Sequence, residues 1–362
     1  MQSIARKHIL QIKPYIPGKP IEEVEREMGL KSVIKLASNE NPYGPSPKVL
    51  KAMVQAAKTV NRYPDGSCYY LRQELARRLK VSENQLIFGN GSDELIVLAT
   101  RAFSDYGDEV IIARPSFLIY EIASKVSGAT IKFVPLKDFR YDIEGIKNAI
   151  TPKTKIIFIG NPDNPSGSYI TKAQAEDLLK SIRQKILVFF DEAYFEFVDK
   201  DDYPDTIKLM KTYKNVITTR TFSKMYGLAG LRVGYGIGDA QVISLLERVR
   251  EPFNINSVAQ AAALACLKDK AYYEKLLRTI KAQRKYVYAN LKKMGLSFVE
   301  SVTNFILIDV RQNSFNVSQA LLKKGVIVRD MGFWGLDTYI RVTVGKPQEN
   351  QRFIRALKEI MK

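Results

Sequence analysis

Histidine is nearly absent: His8 is the only one among 362 residues. A Ser-His-Asp hydrolase or a histidine-ligated metal enzyme would have to be built around that one ring near the N-terminus, which argues against both classes. Cysteine is almost as scarce. Cys68 and Cys266 stand alone with no CxxC, so there is no disulfide framework or zinc site, and a reducing cytoplasm is the expected compartment. No apolar run approaches the length needed to cross a membrane. The start, MQSIARKHILQIKPYIPGKP, has basic residues but neither the apolar core nor the cleavage pattern of a signal peptide. GxGxxG and Walker sequences are missing, so no nucleotide is implied. RRM, zinc-finger and basic-zipper patterns are missing too, which bears on the net charge of +18. The lysines are spread along the chain rather than gathered into an arm. They read as a solvated Lys-rich surface that concentrates anionic substrates, not as a nucleic-acid site.

The length suits two domains rather than one small core. Residues 1–44 read as an arm, with a short helix at 21–28 and a β pattern only at 33–37. The stretch SNENPYGPSP (38–47) is turn-rich, and Ser46 and Pro47 can cap and start a helix over 48–58. From about residue 85 short β-rich runs alternate with helical stretches. The runs are 85–89, 109–113, 130–134, 155–160, 185–191, 215–220 and 232–237, and the intervening helices are 93–103, 115–126, 142–149 and 171–183. Because the runs are apolar on both faces, they predict a doubly wound α/β domain, 45–255, with a mostly parallel seven-stranded sheet. Past Pro252 the pattern changes. One or two long helices over 257–293, strands at 304–309, 326–330 and 338–344, and helices at 316–324 and 349–361 predict a smaller α+β domain, 256–362. There are no internal repeats.

Ligands of such sheets bind at the carboxyl ends of the strands. After 85–89 comes NGSDE, where the amides of Gly91, Ser92 and Asp93 and the helix dipole would hold an anion; a plain helix capped by Asn90 or Ser92 explains it equally well. After 155–160 comes NPDNPSG, a rigid loop that either presents Asn164 to a ligand or exists for its turns. The run KILVFFD ends in Asp191, and a carboxylate buried there needs a cation: a protonated ring nitrogen, an arginine or a metal. Glu192, next in the chain, points to the opposite side if the strand continues. Then TFSKMYGLAGLRVGY, 221–235, offers Thr221, Ser223, Lys224 and Arg232 on a loop shaped by Gly227, Gly230 and Gly234. A lysine beside an arginine is partly neutral and nucleophilic, as Schiff-base chemistry on an aldehyde requires. An aldehyde-seeking lysine, an acid for a ring nitrogen, an anion site, and Asn164 with Tyr194 for a ring hydroxyl together point to pyridoxal phosphate.

These motifs, with KLASNENPYGPS, RYPDGSCYYLRQELA, EPFNINSVAQ, VIVRDM and YIRVTVGKPQEN, make the chain resemble the fold-type-I pyridoxal-phosphate aminotransferases over nearly its full length, and among them the histidinol-phosphate aminotransferases. The resemblance implies a homodimer with shared active sites that exchanges an amino group between glutamate and imidazole-acetol phosphate in a ping-pong reaction. It implies that Lys224 bonds the cofactor, Asp191 pairs with its ring nitrogen, and Tyr194 and Asn164 bond its hydroxyl. Gly91, Ser92, Asp93, Thr221, Ser223 and Arg232 would surround its phosphate. Phe117 would stack on the ring, and Tyr63 would reach the phosphate in the neighbouring subunit. Tyr15, Asn39, Arg329 and Arg341 match substrate-facing positions, with Arg341 clamping carboxylate or phosphate; unaided, Arg329 and Arg341 read as a pair of strand arginines. Aromatic or other amino-acid aminotransferases and threonine-phosphate decarboxylases share the scaffold and remain alternatives.

Overall fold

In the strands of the central sheet neighbouring residues face opposite ways, and both ways lead into a core. Along Leu187–Asp191, Val188 and Phe190 join one buried cluster while Leu187 and Phe189 join the other. Ile156 and Phe158 likewise oppose Ile157 and Ile159. Such two-sided burial is what a sheet sandwiched between helices demands. The computed structural model describes residues 4–14, 20–182 and 185–361.

The strands, in chain order, are β1 (Ile34–Lys35), β2 (Leu86–Gly89), β3 (Glu109–Arg114), β4 (Thr130–Pro135), β5 (Thr154–Gly160), β6 (Leu187–Asp191), β7 (Val216–Thr221), β8 (Gly234–Gly238), β9 (Ser297–Val299), β10 (Phe305–Asp309), β11 (Val326–Ile327), β12 (Arg329–Asp330) and β13 (Tyr339–Thr343). The large sheet has seven strands in the order β2-β8-β7-β6-β5-β3-β4. From β7 to β4 all pairs are parallel; β8 runs antiparallel to both β2 and β7. The parallel strands therefore deliver their carboxyl ends to one edge, where Gly160, Asp191 and Thr221 terminate β5, β6 and β7. Helices Ser92–Phe103 and Leu118–Ser127 cover one face through Leu95, Ile96, Leu98, Tyr120 and Ala123; Lys172–Ser181 covers the other through Ala175, Leu178 and Leu179.

A second, antiparallel sheet has the order β12-β13-β10-β9, and β1 pairs in parallel with β11. The run expected at 326–330 is thus two short strands with different partners, β11 taking β1 and β12 taking β13. The helical stretch 257–293 divides into Ser257–Lys268 and Lys270–Lys293. Ser46 caps the helix Pro47–Ala57 by accepting from the Val49 N–H, with Pro47 in the first turn. The helix expected from residue 115 begins instead at Leu118, because Phe117 is still extended. No helix among the described residues is long and apolar enough to cross a membrane.

Candidate active site

Asp191 closes a strand whose five residues are all buried, and it is itself 5% exposed. Its partners are neutral. The Tyr120 hydroxyl donates to Oδ2 at 2.8 Å, the Ala193 N–H donates to Oδ1 at 3.2 Å, and the Thr219 hydroxyl lies 3.5 Å away. Among the described residues no salt bridge reaches it, and burial pushes its carboxyl up to about 6. Glu192, one residue on, is directed elsewhere. It is fully buried, takes the Arg220 guanidinium at 2.8 Å and accepts from Thr206 at 2.9 Å. The strand's alternation therefore separates two carboxylates by role: Arg220 neutralises Glu192, and Asp191 faces a cavity.

Lys224 stands in the loop between β7 and β8. Its Nζ donates to the Ser38 carbonyl at 3.3 Å and lies 5.8 Å from the centre of the Tyr194 ring. Burial, then Arg341, hold the ammonium down to about 8; Glu40 acts the other way and Arg232 adds a smaller push in the same sense. The sequence pointed to Arg232 as the lysine's tuner, whereas Arg341, contributed by the other sheet, is the stronger one. Gly227 lets this loop pass close to the arm: at φ +71°, a Cβ there would sit 2.7 Å from the Gly44 carbonyl carbon.

At one end of the cavity the helix Ser92–Phe103 begins at Gly91, φ +86°, with no side chain capping it. Asn90 does not cap it; its N–H donates to Glu94 Oε2 at 2.6 Å. The first-turn amides are thus left for a ligand. Arg232 reaches across with Nη2 2.7 Å from Asp93 Oδ1, so the Asp93 carboxylate holds the guanidinium fork. A Cβ on Gly91 would collide with Arg232 Nη2 at 2.3 Å, and one on Gly234 would come within 2.6 Å of the Ser92 amide nitrogen. The Thr221 and Ser223 hydroxyls are hydrogen-bonded at 3.0 Å and border the same cavity.

The opposite end draws on the arm and the second sheet. Asn39, φ +55°, donates from Nδ2 to the Tyr194 hydroxyl at 2.9 Å and is itself fixed by Thr343 and Asn304. Burial pushes the Tyr194 hydroxyl up to about 12. Arg341, 7% exposed, donates to Asn164 Oδ1 and to the Ala37 carbonyl, the latter at 3.0 Å. Arg329 is the register partner of Arg341 across β12 and β13, and both border the cavity. Phe117 borders it with its edge toward Tyr120, ring centres 5.7 Å apart.

The cavity thus gathers Lys224, Asp191, Tyr194, Asn164, Ser92, Asp93, Phe117, Thr221, Ser223, Arg232, Asn39, Arg329 and Arg341, with Gly91 against its Arg232 wall. Tyr63 is elsewhere: it is 84% exposed and stacked on Phe253 at 4.9 Å. Tyr15 lies outside the described residues. Among the cavity residues that escaped sequence reasoning are the aromatic Tyr120 and Trp334. Tyr120 follows Phe117 by three residues, a helical spacing that could have flagged it. Trp334, in the short turn Gly332–Trp334, carries no periodic signal.

The family model for class I and II aminotransferases matches residues 31–357. A histidinol-phosphate aminotransferase of Moorella thermoacetica is 46% identical, covering 98% of this chain and 92% of the relative; that of Caldicellulosiruptor saccharolyticus is 45% identical, covering 98% and 99%. The crystal structure of histidinol-phosphate aminotransferase from Sinorhizobium meliloti, in complex with pyridoxal-5'-phosphate, superposes with a TM-score of 0.92 at 29% identity, covering 99% of this chain and 98% of that one. With its doubly wound sheet and a lysine, a buried aspartate and three arginines around one cavity, this chain belongs to the class I and II aminotransferases, in the branch of the histidinol-phosphate aminotransferases.

Proposed function

We propose that this chain is a pyridoxal-phosphate enzyme that exchanges an amino group between glutamate and imidazole-acetol phosphate, giving 2-oxoglutarate and histidinol phosphate in two alternating half-reactions. The observation that carries the reading is Asp191. A carboxylate 5% exposed, with only neutral partners and facing a cavity, is complete when a cation arrives, and a protonated pyridine nitrogen is such a cation. The rest of the donor set fits the same cofactor. Gly91 and Gly234 let Arg232 and the Ser92 amide pack close together at the helix N-terminus, beside Thr221 and Ser223, a cluster of donors that suits a phosphate. Lys224 at the cavity floor suits an aldehyde.

When bound, pyridoxal phosphate supplies an aldehyde that takes up the amino group and a protonated ring that accepts electrons from the substrate's Cα. The chain's own residues do the remainder. Asp191, ionised at neutral pH, keeps a proton on the ring nitrogen. Lys224 Nζ, lowered to about 8, would be available in its neutral form to take the proton from Cα and deliver it, across the linking nitrogen, to the cofactor's former aldehyde carbon. Tyr194 and Asn164 would orient the ring through its hydroxyl, and Phe117 would pack against its face. Arg341 presents a fork to the α-carboxylate of glutamate or the phosphate of the other substrate, with Arg329 beside it and Asn39 bracing Tyr194.

The same reading makes the molecule a cytoplasmic homodimer with sites shared between subunits. Tyr63 is stacked on Phe253 and both are exposed, as are Leu50, Val54, Val60 and Tyr70, apolar side chains of the kind a partner subunit would cover. Both cysteines are free and buried. The function is tested by a panel of amino donors, histidinol phosphate, phenylalanine, tyrosine and threonine phosphate, each with 2-oxoglutarate. Glutamate forms with histidinol phosphate at a kcat/KM at least about 100-fold above the aromatic amino acids. Preference for phenylalanine or tyrosine, or release of carbon dioxide from threonine phosphate, would replace this assignment.

A further inference from the structure

The only tryptophan in the chain, Trp334, occupies a dividing wall. It borders the active-site cavity on one side and, with Phe117, a second cavity of about 450 Å³ on the other. That second cavity is lined by Ile112, Ile122, Phe133 and Phe333 together with the charged Lys13, Arg114, Glu121 and Lys125. The Arg114 guanidinium carbon lies over the Phe133 ring at 4.8 Å, and Glu121 pairs with Lys125 at 2.5 Å. The cavity's apolar residues give it surface that an aromatic ring could occupy.

Trp334 is held from two directions. Its indole N–H donates to the Ser116 carbonyl at 3.1 Å, tying it to the loop that carries Phe117. Its face lies 5.0 Å from the Arg329 guanidinium carbon. A cation over an indole face is attracted by the ring, so this contact helps hold the guanidinium where it borders the active-site cavity. One side chain thus closes off the neighbouring apolar space and steadies an arginine that borders the active-site cavity.

We propose that Trp334 is the specificity-determining residue of the substrate side-chain pocket: its ring keeps aromatic side chains out of the second cavity and holds Arg329 toward phosphorylated ones. The inference rests on the aminotransferase reading above. An indole is among the largest side chains, and truncating it joins the two cavities into one space with room for a phenyl ring. Truncation also releases Arg329 from its stacking partner. The two effects act on different substrates in opposite directions, which a general loosening of the fold would not do.

The test compares holoenzyme carrying Trp334→Ala, Trp334→Leu or Trp334→Phe with the unaltered protein, using histidinol phosphate and phenylalanine as donors. In Trp334→Ala and Trp334→Leu, kcat/KM for histidinol phosphate falls at least about tenfold, chiefly through KM, while that for phenylalanine rises at least about threefold. Trp334→Phe keeps a ring over Arg329 and stays within about threefold of the unaltered preference. Equal losses on both donors, or an unchanged preference, overturn the proposal. A second readout needs no variant. Trp334 is the sole indole emitter, and acrylamide quenching of its fluorescence in the unaltered holoenzyme drops at least about twofold when histidinol phosphate fills the site. Unchanged quenching overturns the proposal even if the variants do not fold. An unaltered enzyme inactive on histidinol phosphate overturns the proposed function itself, whereas an active enzyme with unmoved preference removes only the role of Trp334.

Discussion

Asp191 is ionised at neutral pH in a place that resists charge. Its folded value of about 6 lies above the usual range near ~3.9 for an unfolded chain, so the ionised form weakens the apoprotein. The sign follows: this cost is present above pH 6 and vanishes as the pH falls below the unfolded value. Asp191→Asn apoprotein is expected to be more stable than the parent at pH 7 by about 2 kcal/mol, a gain that disappears by about pH 4. Urea melts at the two pH values check it, and the same variant loses at least about 100-fold in turnover. Lys224 is displaced the other way. Because only the neutral amine adds to an aldehyde, uptake of pyridoxal phosphate by the apoprotein is expected to quicken with pH through a midpoint near 8, followed by absorbance. A rate flat between pH 7 and 9 would contradict it. Both residues were legible in the sequence because each stands at a strand end beside residues that make little sense alone. Their electrostatic settings were not, because burial, the first cause of both, exists only in the assembled fold, and the neighbours that modify it come from elsewhere: Arg341, from the other sheet, lowers Lys224 further, and Tyr120, from a helix, works against the rise of Asp191.

At the scale of elements, the end of the cavity at the helix N-terminus, where we propose that phosphate binds, depends on backbone meeting backbone. β8 passes the start of the helix Ser92–Phe103 so closely that a Cβ on Gly234 would lie 2.6 Å from the Ser92 nitrogen and 3.0 Å from the Arg220 carbonyl oxygen. No flexible side chain is there to give way. Gly234→Ala is expected to cost about 2 kcal/mol and to weaken cofactor binding, while Gly230→Ala, with open space around it, changes stability by less than about 1 kcal/mol. Urea midpoints and cofactor titrations separate the two. The inner strands of the large sheet were readable because two-sided burial leaves short, continuous apolar runs; the edge strand β4, largely exposed, was readable from its β-rich residues alone. Less was readable where an element is short or changes partner. The helices Thr206–Thr212 and Ala240–Glu247 and the three-residue strand β9 went unseen. The run 326–330 looked continuous because β11 and β12 are separated by Val328 alone, yet they pair with different strands.

The whole molecule, in this reading, is a pair of subunits that complete each other's sites. Tyr63 lies on the outer surface rather than in its own chain's cavity, so a shared site makes a definite claim about mixed dimers. Tyr63→Ala and Lys224→Ala are each expected to lose at least about tenfold in activity as pure proteins. Co-expressed, they form heterodimers in which one site has Lys224 from one chain and Tyr63 from the other, and about a quarter of the parent activity returns. Absence of any recovery, in preparations shown by sedimentation to be dimers, would contradict the sharing. The positive charge fits the chemistry: a Lys-rich exterior around an arginine-lined cavity raises the local concentration of anionic substrates. All of this hangs on one covalent fact. Holoenzyme is treated with borohydride to fix the cofactor in place, digested, and its peptides sequenced by mass spectrometry. The account predicts a pyridoxyl label on Lys224 and on no other lysine; a label elsewhere, or bound cofactor that borohydride leaves unattached, would contradict it.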